Sequence, residues 1–275
     1  MFAGSTNCVK LNHHLLPSKF LNRIVKVDCY VPSTLKTGEL PDLLLINDGQ
    51  DLRTMEFEDI IGDLLAEEKI RPVFCVGIHC APDRKNEYGT ANILDYKGRG
   101  KNAAKFTEFV FKELIPFIRK QYKIESFYRK AYAGFSLGGL CAMDIVWNHP
   151  QEFFLCGAFS GSFWWRDKDQ EAPDFDEESH RIMHRQVREG GFYPWLRFFF
   201  EVGTKDETAD RNQNGIIDSI DDTQSLIAEL EHKGYQDDDI YYLELKDGKH
   251  DVETWAIALP TFLEWAYGRA NNNPN

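Results

Sequence analysis

Glycine and serine recur at a spacing that suits nucleophilic catalysis in the stretch Gly134-Phe135-Ser136-Leu137-Gly138. This stretch lies between a β-rich run at 126–133 and a small-residue helical run at 137–148. A serine on the tight turn between a strand and a helix, with glycines two residues before and after it, forms a nucleophile elbow. Its hydroxyl stands clear of the sheet on a strained turn, and the glycines let the strand and the helix approach closely. The spacing therefore predicts Ser136 as a nucleophile and the Leu137 N–H as a donor to a developing oxyanion.

A serine hydroxyl becomes a good nucleophile when a base takes its proton and an acid orients that base. His250 follows the last predicted strand, 240–245, and a loop histidine at the carboxyl end of a strand can reach the elbow. The other seven histidines precede the serine, lie at helix ends or fall in a charged insertion. His250 is therefore the predicted base, and a solvated loop histidine is the alternative.

The predicted acid is Asp206, because it is the first carboxylate after the predicted strand 195–202. This position gives the chain order Ser, acid, His that the elbow requires. Glu207 and Asp210 are the nearest competitors, and a surface loop charge is the alternative for Asp206 itself.

A second oxyanion donor is expected in the loop after the predicted strand 42–47. Gln50 follows Asp48-Gly49 there, and the glycine lets the chain turn sharply. The sequence therefore predicts the Gln50 N–H as this donor, with an ordinary type II turn as the alternative.

Four residues in loops are expected to ring the strand ends and contact a substrate: Trp164, Trp165, Arg84 and Tyr88. The two tryptophans could form an aromatic wall for an acyl or aryl group, or one of them could belong to the core. Arg84 could hold an anionic group or pair with Glu87, and the pairing is slightly preferred.

A second candidate site is a calcium-type loop at 210–221. Ca²⁺ takes six to eight oxygen ligands, and such loops carry oxygen side chains at fixed spacing around a central glycine. Position 12 is aspartate, a shorter ligand than the usual glutamate. The predicted ligands are the Ile216 carbonyl and the side chains of Asp210, Asn212, Asn214, Asp218 and Asp221. We expect a structural ion that stiffens the turn bearing Asp206, with an acidic solvated loop as the alternative.

Composition limits the class of protein. The chain has 275 residues, 43% hydrophobic and 13% aromatic, which is enough for a sizeable core. Its net charge of −12 disfavours nucleic acid and anionic membranes as partners. We see no signal peptide and no run of about 20 apolar residues, so we expect a soluble cytoplasmic protein. The six cysteines form no C-x-x-C pair, so free buried thiols are expected rather than a disulfide framework.

Predicted strands alternate with predicted helices from Asp42 to the end of the chain. This order predicts a mainly parallel sheet covered by helices on both faces. We expect a single domain over 1–275, with a loop and helical insertion at about 166–191. The start, 1–19, shows no clear pattern, and 33–41 is expected to form a turn-rich hairpin loop. The predicted helices are 57–67, 103–122, 137–148, 221–233 and 252–267, and the remaining predicted strands are 23–31, 72–79 and 153–159.

Five motifs occur in one order over about 22–267: Ile46-Asn47-Asp48-Gly49-Gln50, Gly134-Phe135-Ser136-Leu137-Gly138-Gly139, Ser160-Gly161-Ser162-Phe163-Trp164-Trp165, Gly203-Thr204-Lys205-Asp206 and Gly248-Lys249-His250-Asp251. Together they resemble the putative-esterase family of α/β-hydrolases, which includes esterase D, feruloyl esterase domains, mycolyltransferases and the catalytic domain of enterochelin esterase. The third motif is most similar to the enterochelin-esterase branch. The separate N-terminal substrate-binding domain of bacterial enterochelin esterases has no counterpart here, so the resemblance does not by itself predict a siderophore substrate.

The resemblance implies an α/β-hydrolase fold and a serine esterase. It carries over Ser136 as nucleophile, Asp206 as acid and His250 as base, with Leu137 and Gln50 as oxyanion donors. The implied partner is a small-molecule ester, no cofactor is required for the chemistry, and the oligomeric state stays open between monomer and homodimer. An acyltransferase could use the same triad. A non-catalytic module that binds carbohydrate or a partner protein is a further alternative.

Overall fold

One mixed sheet of eight strands organises the described part of the chain. The computed structural model describes residues 8–35 and 40–269. Its strands are β1 (Val9–Ser18), β2 (Arg23–Pro32), β3 (Asp42–Asn47), β4 (Val73–Ile78), β5 (Lys130–Phe135), β6 (Leu155–Phe159), β7 (Arg197–Lys205) and β8 (Ile240–Lys249).

The strand order across the sheet is β1-β2-β4-β3-β5-β6-β7-β8. β2 pairs antiparallel with both β1 and β4, and every pair from β4 to β8 is parallel. The central strands β3, β4 and β6 are buried at every position, as short apolar strands covered on both faces must be. The carboxyl ends of β3, β5, β6, β7 and β8 therefore meet at one edge of the sheet.

Helices cover the two faces of this sheet. They are α1 (Phe57–Ala66), α2 (Arg84–Glu87), α3 (Ala103–Phe109), α4 (Ile115–Tyr122), α5 (Leu137–Asn148), α6 (Glu177–His180), α7 (Ile182–Glu189), α8 (Asp218–Lys233) and α9 (Val252–Tyr267). Apolar residues of α1 and α9 share one core with one side of the sheet, and those of α3, α5, α7 and α8 share a second core with the other side. The predicted mainly parallel sheet with helices on both faces is thus confirmed.

The structure differs from the predicted local structure in three places. β1 was not predicted, because its mixed and partly exposed side chains show no clean alternation. The predicted hairpin at 33–41 is wrong, since β2 and β3 are not neighbours in the sheet; residues 36–39 lie outside the described residues. The predicted helix 103–122 is interrupted by a π-helical turn, Val110–Leu114, between α3 and α4.

The segment 166–191 carries α6 and α7, and α7 packs against α8 and α5. Whether it is an insertion in a single domain stays a prediction. All six cysteines are free thiols, and the four at positions 29, 75, 141 and 156 are buried as expected. Across residues 8–35 and 40–269, no helix is long and apolar enough to cross a bilayer. The cytoplasmic location stays a prediction.

Candidate active site

Ser136 lies at the turn between β5 and α5 in a backbone conformation that non-glycine residues rarely adopt. Its φ is 54° and its ψ is −121°, which is strained for a residue with a Cβ. Hydrogen bonds hold the turn: the Ser136 N–H donates to the Phe159 carbonyl at 2.8 Å, and the Ser136 carbonyl accepts from Gly139 N–H at 3.0 Å. The predicted elbow geometry is therefore present at the carboxyl end of β5.

The structure brings the three residues of the predicted triad together. Ser136 Oγ lies 2.8 Å from His250 Nε2, and His250 Nδ1 lies 3.5 Å from Asp206 Oδ2. The Asp206 side chain is fully buried, whereas 39% of the His250 side chain is exposed. His250 follows β8 and packs edge-on against Trp255 of α9, with ring centroids 5.3 Å apart. This chain of contacts can pass a proton from the hydroxyl to the imidazole.

Asp206 is paired with His250, and its two competitors have other surroundings. Asp206 sits on the turn after β7, where its Oδ1 accepts from the Gly203 N–H at 3.2 Å. Glu207 lines the same cleft as Ser136 and His250, and burial raises the pKa of its carboxyl. The Asp210 carboxylate accepts from the N–H groups of Asn214 and Gly215 at 3.1 and 2.9 Å. Asp206 is thus the candidate that contacts the imidazole.

Both predicted oxyanion donors lie beside the elbow edge of the sheet. Leu137 is the first residue of α5, where helix N–H groups lack an intrahelical partner. Gln50 lies in the turn after β3, and its side-chain amide contacts Asp48, Asp51 and the Cys80 N–H at 3.2 Å each. These contacts hold the Gln50 side chain in place, so the backbone N–H stays the predicted oxyanion donor of this residue.

Arg84 has a different partner from the two that the sequence suggested. Its Nε and Nη2 donate to the Asp48 carboxylate at 2.7 and 2.6 Å, and Nη2 also donates to the Phe135 carbonyl at 3.0 Å. Glu87 instead pairs with Arg23, whose Nε donates to it at 2.6 Å. The preferred pairing of Arg84 with Glu87 is therefore wrong. Arg84 joins the loop that carries Gln50 to the end of the elbow strand.

Sequence reasoning gave no role to Asp48, yet it is 1% exposed and has a φ of 59°. Its N–H donates to the Tyr88 hydroxyl oxygen at 3.1 Å. Tyr88 is itself fully buried, so its predicted contact with a substrate is wrong. The sequence predicted loops for both Asp48 and Tyr88. Position in a loop alone does not distinguish a buried residue that holds the loop in place from an exposed residue that could contact a substrate.

A cleft of about 320 Å³ opens over the triad, lined by Ser136, Ser160, Gly161, Ser162, Trp164, Asp206, Glu207, Ser219 and His250. Trp164 contributes to its wall, whereas Trp165 is fully buried. The Arg99 guanidinium lies over both tryptophan rings, 5.2 and 5.0 Å from their centroids. Of the four predicted substrate contacts, Trp164 is the one that lines this cleft. Trp165 belongs to the core, which is the alternative that the sequence left open for one of the two tryptophans.

Two serines of the third motif, to which the sequence gave no individual role, lie close to the triad. Ser162 Oγ lies 3.4 Å from Ser136 Oγ, and the Ser162 N–H donates to the Ser136 carbonyl at 3.1 Å. The Ser160 hydroxyl oxygen accepts from Trp255 Nε1 at 2.9 Å, in a residue with a φ of 45°. Their position directly after β6, at the same sheet edge as the elbow, is the signal that could have identified them.

The calcium-type loop brings several of its oxygen-bearing side chains together. Asn212 Nδ2 donates to Asp221 Oδ2 at 3.0 Å, and Asn212 Oδ1 accepts from the Asn214 N–H at 3.1 Å. Asp218, in the first turn of α8, instead accepts from the Arg211 N–H at 2.8 Å. Among the described residues, no group of three or more His, Cys, Asp or Glu side chains is placed to hold a metal ion. A cation here would thus depend on amide and carbonyl oxygens as well as carboxylates.

The sequence and fold can be compared with known proteins. The profile of a family described as "Putative esterase" matches residues 18–266. The uncharacterized protein YbbA of Bacillus subtilis (strain 168) is 20% identical over 250 residues, which cover 87% of this chain and 91% of YbbA.

Two solved structures share the architecture. The enterobactin esterase FES from Shigella flexneri, determined in the presence of enterobactin, superposes with a TM-score of 0.71 at 20% identity over 94% of this chain. This chain spans 60% of that protein, less than two thirds of its length. A ferulic acid esterase superposes with a TM-score of 0.70 at 20% identity, covering 94% of this chain and 97% of the other. At this identity the likeness shows the fold, and the predicted α/β-hydrolase fold is confirmed.

Proposed function

The chain belongs to the "Putative esterase" family, and we propose that it is a serine esterase that hydrolyses a carboxylic ester through an acyl-enzyme. The observation that carries the proposal is the 2.8 Å contact between Ser136 Oγ and His250 Nε2 at a strained elbow. Asp206 on the far side of the imidazole supplies the orienting charge. Nucleophile, base and orienting acid at these positions are the requirements for acyl transfer.

In the first step, His250 Nε2 takes the Ser136 proton as Oγ attacks the ester carbonyl carbon. The carbonyl oxygen becomes an oxyanion, which the N–H groups of Leu137 and Gln50 stabilise. The imidazolium formed on His250 is held by the carboxylate of Asp206. When the C–O bond breaks, His250 returns the proton to the leaving alcohol, and an acyl group remains on Ser136 Oγ.

In the second step, water takes the place of the alcohol. His250 removes a proton from that water as it attacks the acyl carbon, and the Ser136 hydroxyl is restored when the acid leaves. An acyltransferase would use an acceptor alcohol here in place of water. The His250 side chain is 39% exposed, so water can reach the imidazole, which supports hydrolysis.

The cleft favours esters without a negative charge near the carbonyl. Its described lining contains Asp206, Glu207 and His250 as titratable residues and no lysine or arginine. An anionic group beside Glu207 would be repelled, whereas a neutral or cationic group would not. Trp164 offers an aromatic face for the acyl or alcohol part of the substrate. We therefore propose a small neutral or cationic ester as substrate.

The test is labelling by a fluorophosphonate together with hydrolysis of p-nitrophenyl acetate by wild type and Ser136→Ala. We expect labelling at Ser136 by mass spectrometry and a loss of activity of about 10⁴- to 10⁶-fold in the variant. Ser162→Ala, which removes the neighbouring hydroxyl, is the matched control and should remain labelled. Undiminished activity of Ser136→Ala would refute the proposal, and wild type without labelling would favour a non-catalytic binding module.

The substrate is approached with an ester panel that includes enterobactin and a ferulic acid ester, which the names of its structural relatives suggest. Paired esters that differ in one carboxylate or one ammonium group test the charge preference of the cleft. Analysis of products in the presence of an added alcohol distinguishes hydrolysis from acyl transfer.

We also propose that the loop 210–221 binds a structural Ca²⁺. The contacts of Asn212 with the Asp221 carboxylate and with the Asn214 N–H support this proposal, because they keep three of the predicted ligand residues close together. Asp210, at the start of the loop, is held by the N–H groups of Asn214 and Gly215. The ion would stiffen the connection between the Asp206 turn and α8, and no step of the chemistry involves it.

A further inference from the structure

Glu201 is a buried carboxylic residue whose position is unusual. It lies on β7, in register with Phe159 of β6 and Leu243 of β8, and is 0% exposed. Among the described residues, neither of its carboxyl oxygens has a hydrogen-bond partner. A buried carboxylate without a partner is costly, so such a group is expected to be protonated or to find a partner nearby.

The charged group that acts on Glu201 is Asp206, the acid of the proposed triad. Gly203 lies two residues after Glu201 and so shares its face of the sheet. A Cβ built on Gly203 would lie 2.7 Å from Asp206 Oδ1, which places the Asp206 carboxyl over that same face. Asp206 Oδ2, which faces His250 Nδ1 at 3.5 Å, is buried and has no shorter hydrogen bond in the described part of the chain. The unpartnered Glu201 carboxyl and the Asp206 carboxyl therefore lie on the same face of the sheet behind the imidazole, close enough for the charge of Asp206 to act on Glu201.

Few other titratable groups face Glu201. The α9 side of the sheet contributes Trp255, β6 contributes Phe159, and α8 packs on the opposite face of β7. On β8, the charge of Glu201 makes a small contribution to the raised pKa of the Tyr242 hydroxyl. His250, which follows β8, lies next to Asp206. Burial raises the pKa of Glu201 to about 8, and the negative charge of Asp206 adds to the effect. The backbone N–H of Ser160 offsets this shift only in part, and among residues 8–35 and 40–269 no cation is placed to reverse it.

We propose that Glu201 is a positioning residue, which in its protonated form donates a hydrogen bond to the Asp206 carboxylate and holds it against His250. The inference rests on the proposed triad. Two adjacent buried carboxyl groups cannot both ionise readily, so one proton stays on the pair. That proton resides on Glu201, because Asp206 gains the stabilisation of the imidazolium that forms during the reaction.

This arrangement limits the enzyme on the alkaline side. When Glu201 loses its proton, Asp206 loses a donor and gains a second negative charge beside it. The carboxylate is then free to turn away from the imidazole, and kcat falls. Glutamine at this position keeps an N–H donor and has no proton to lose, so it is the variant that separates charge from hydrogen bonding.

The experiment compares wild type with Glu201→Gln and Glu201→Leu in the hydrolysis of p-nitrophenyl acetate from about pH 6 to about pH 9.5. We expect Glu201→Gln to keep kcat within a few-fold near pH 7 and to lack the alkaline decrease of the wild type. Glu201→Leu should lose roughly 10- to 100-fold in kcat with KM little changed, the range for one hydrogen bond to a charged group. Thermal melting identifies a variant that does not fold.

An alkaline decrease that persists unchanged in Glu201→Gln, or full kcat in folded Glu201→Leu, would overturn the role of Glu201. If Glu201→Leu does not fold, the pH profile of Glu201→Gln alone decides. Ser136→Ala is measured in parallel. Activity in that variant contradicts the proposed esterase mechanism, whereas an inactive Ser136→Ala with wild-type behaviour of both Glu201 variants contradicts the positioning role alone.

Discussion

Gly134 and Gly138 meet across the Ser136 turn so closely that a Cβ on Gly134 would overlap the Gly138 carbonyl oxygen. The atom in the way belongs to the backbone, so it cannot rotate aside as a side chain would. A Cβ on Gly138 would in turn lie 2.5 Å from Asp48 Oδ2. The end of the strand, the start of the helix and the Asp48 loop are thus packed around one small volume, which explains why both positions are glycine.

Gly134→Ala should destabilise the protein and reduce its activity, because the methyl group forces α5 away from β5. We expect a loss of about 1–3 kcal/mol in the free energy of unfolding, typical of overpacking, measured by urea denaturation. The matched control is Gly62→Ala within α1, where nothing lies within 4 Å of the added Cβ. That change should be neutral or stabilise by roughly 0.5–1 kcal/mol. Equal stability of the two variants would contradict this explanation.

Asp206→Asn should lower kcat by about 10⁴-fold, because an amide holds the wrong imidazole tautomer and cannot stabilise the imidazolium. The measurement is kcat and KM for p-nitrophenyl acetate, with folding checked by circular dichroism. Glu207→Gln, one residue further on, is the control and should change kcat only a few-fold. If the Glu207 variant were the inactive one, the acid would have to be reassigned.

Calcium should raise the melting temperature of the chelator-treated protein, because an ion that binds the folded loop stabilises it by mass action. At a concentration of about 100 times Kd the gain is roughly 2.7 kcal/mol. Calorimetric titration should show heat for wild type and none for Asp210→Ala. Asp237→Ala, an exposed aspartate in another loop, is the control and should bind as wild type does. No heat and no thermal shift in wild type would exclude the ion.

The raised pKa of Glu201 also has a consequence for stability. Its ordinary value is 4.5 and its value in the folded protein is about 8, so between these pH values the unfolded chain has released a proton that the folded chain retains. Stability is therefore lost as pH rises through this window. The free energy of unfolding of Glu201→Gln minus that of wild type, measured by urea denaturation, should increase from about pH 5 to about pH 8 by an amount on the order of a few kcal/mol. A constant difference would show that Glu201 ionises in the folded protein as it does in the unfolded chain.

The strand and helix order was predictable because its signals are local. Residue type and periodicity are enough to predict the burial of apolar runs such as Leu43–Ile46 and of the small-residue helix after Ser136. β1 escaped prediction because it is stabilised mainly by its partner β2 over all ten residues rather than by its own pattern. The elbow, with both glycines and the serine within five residues, was readable for the same local reason.

The partners of long-range contacts were decided by the tertiary structure. Glu87 is closer than Asp48 to Arg84 in sequence, yet the turn after β3 brings the Asp48 carboxylate into a two-bond geometry with Arg84. Trp164 and Trp165 are adjacent in sequence, yet one lines the cleft and the other is fully buried. Residue type gives each side chain its chemistry, but not the direction in which the backbone points it.

The sequence by itself determined the chemistry that this protein can offer: a serine on an elbow, a histidine after the last strand and a set of carboxylates after β7. The tertiary structure decided which carboxylate contacts the imidazole and placed Glu201, a strand residue of no evident function, behind it. The physical reason is that strand register and twist set which side chains converge at the sheet edge, and these depend on contacts between segments far apart in the chain.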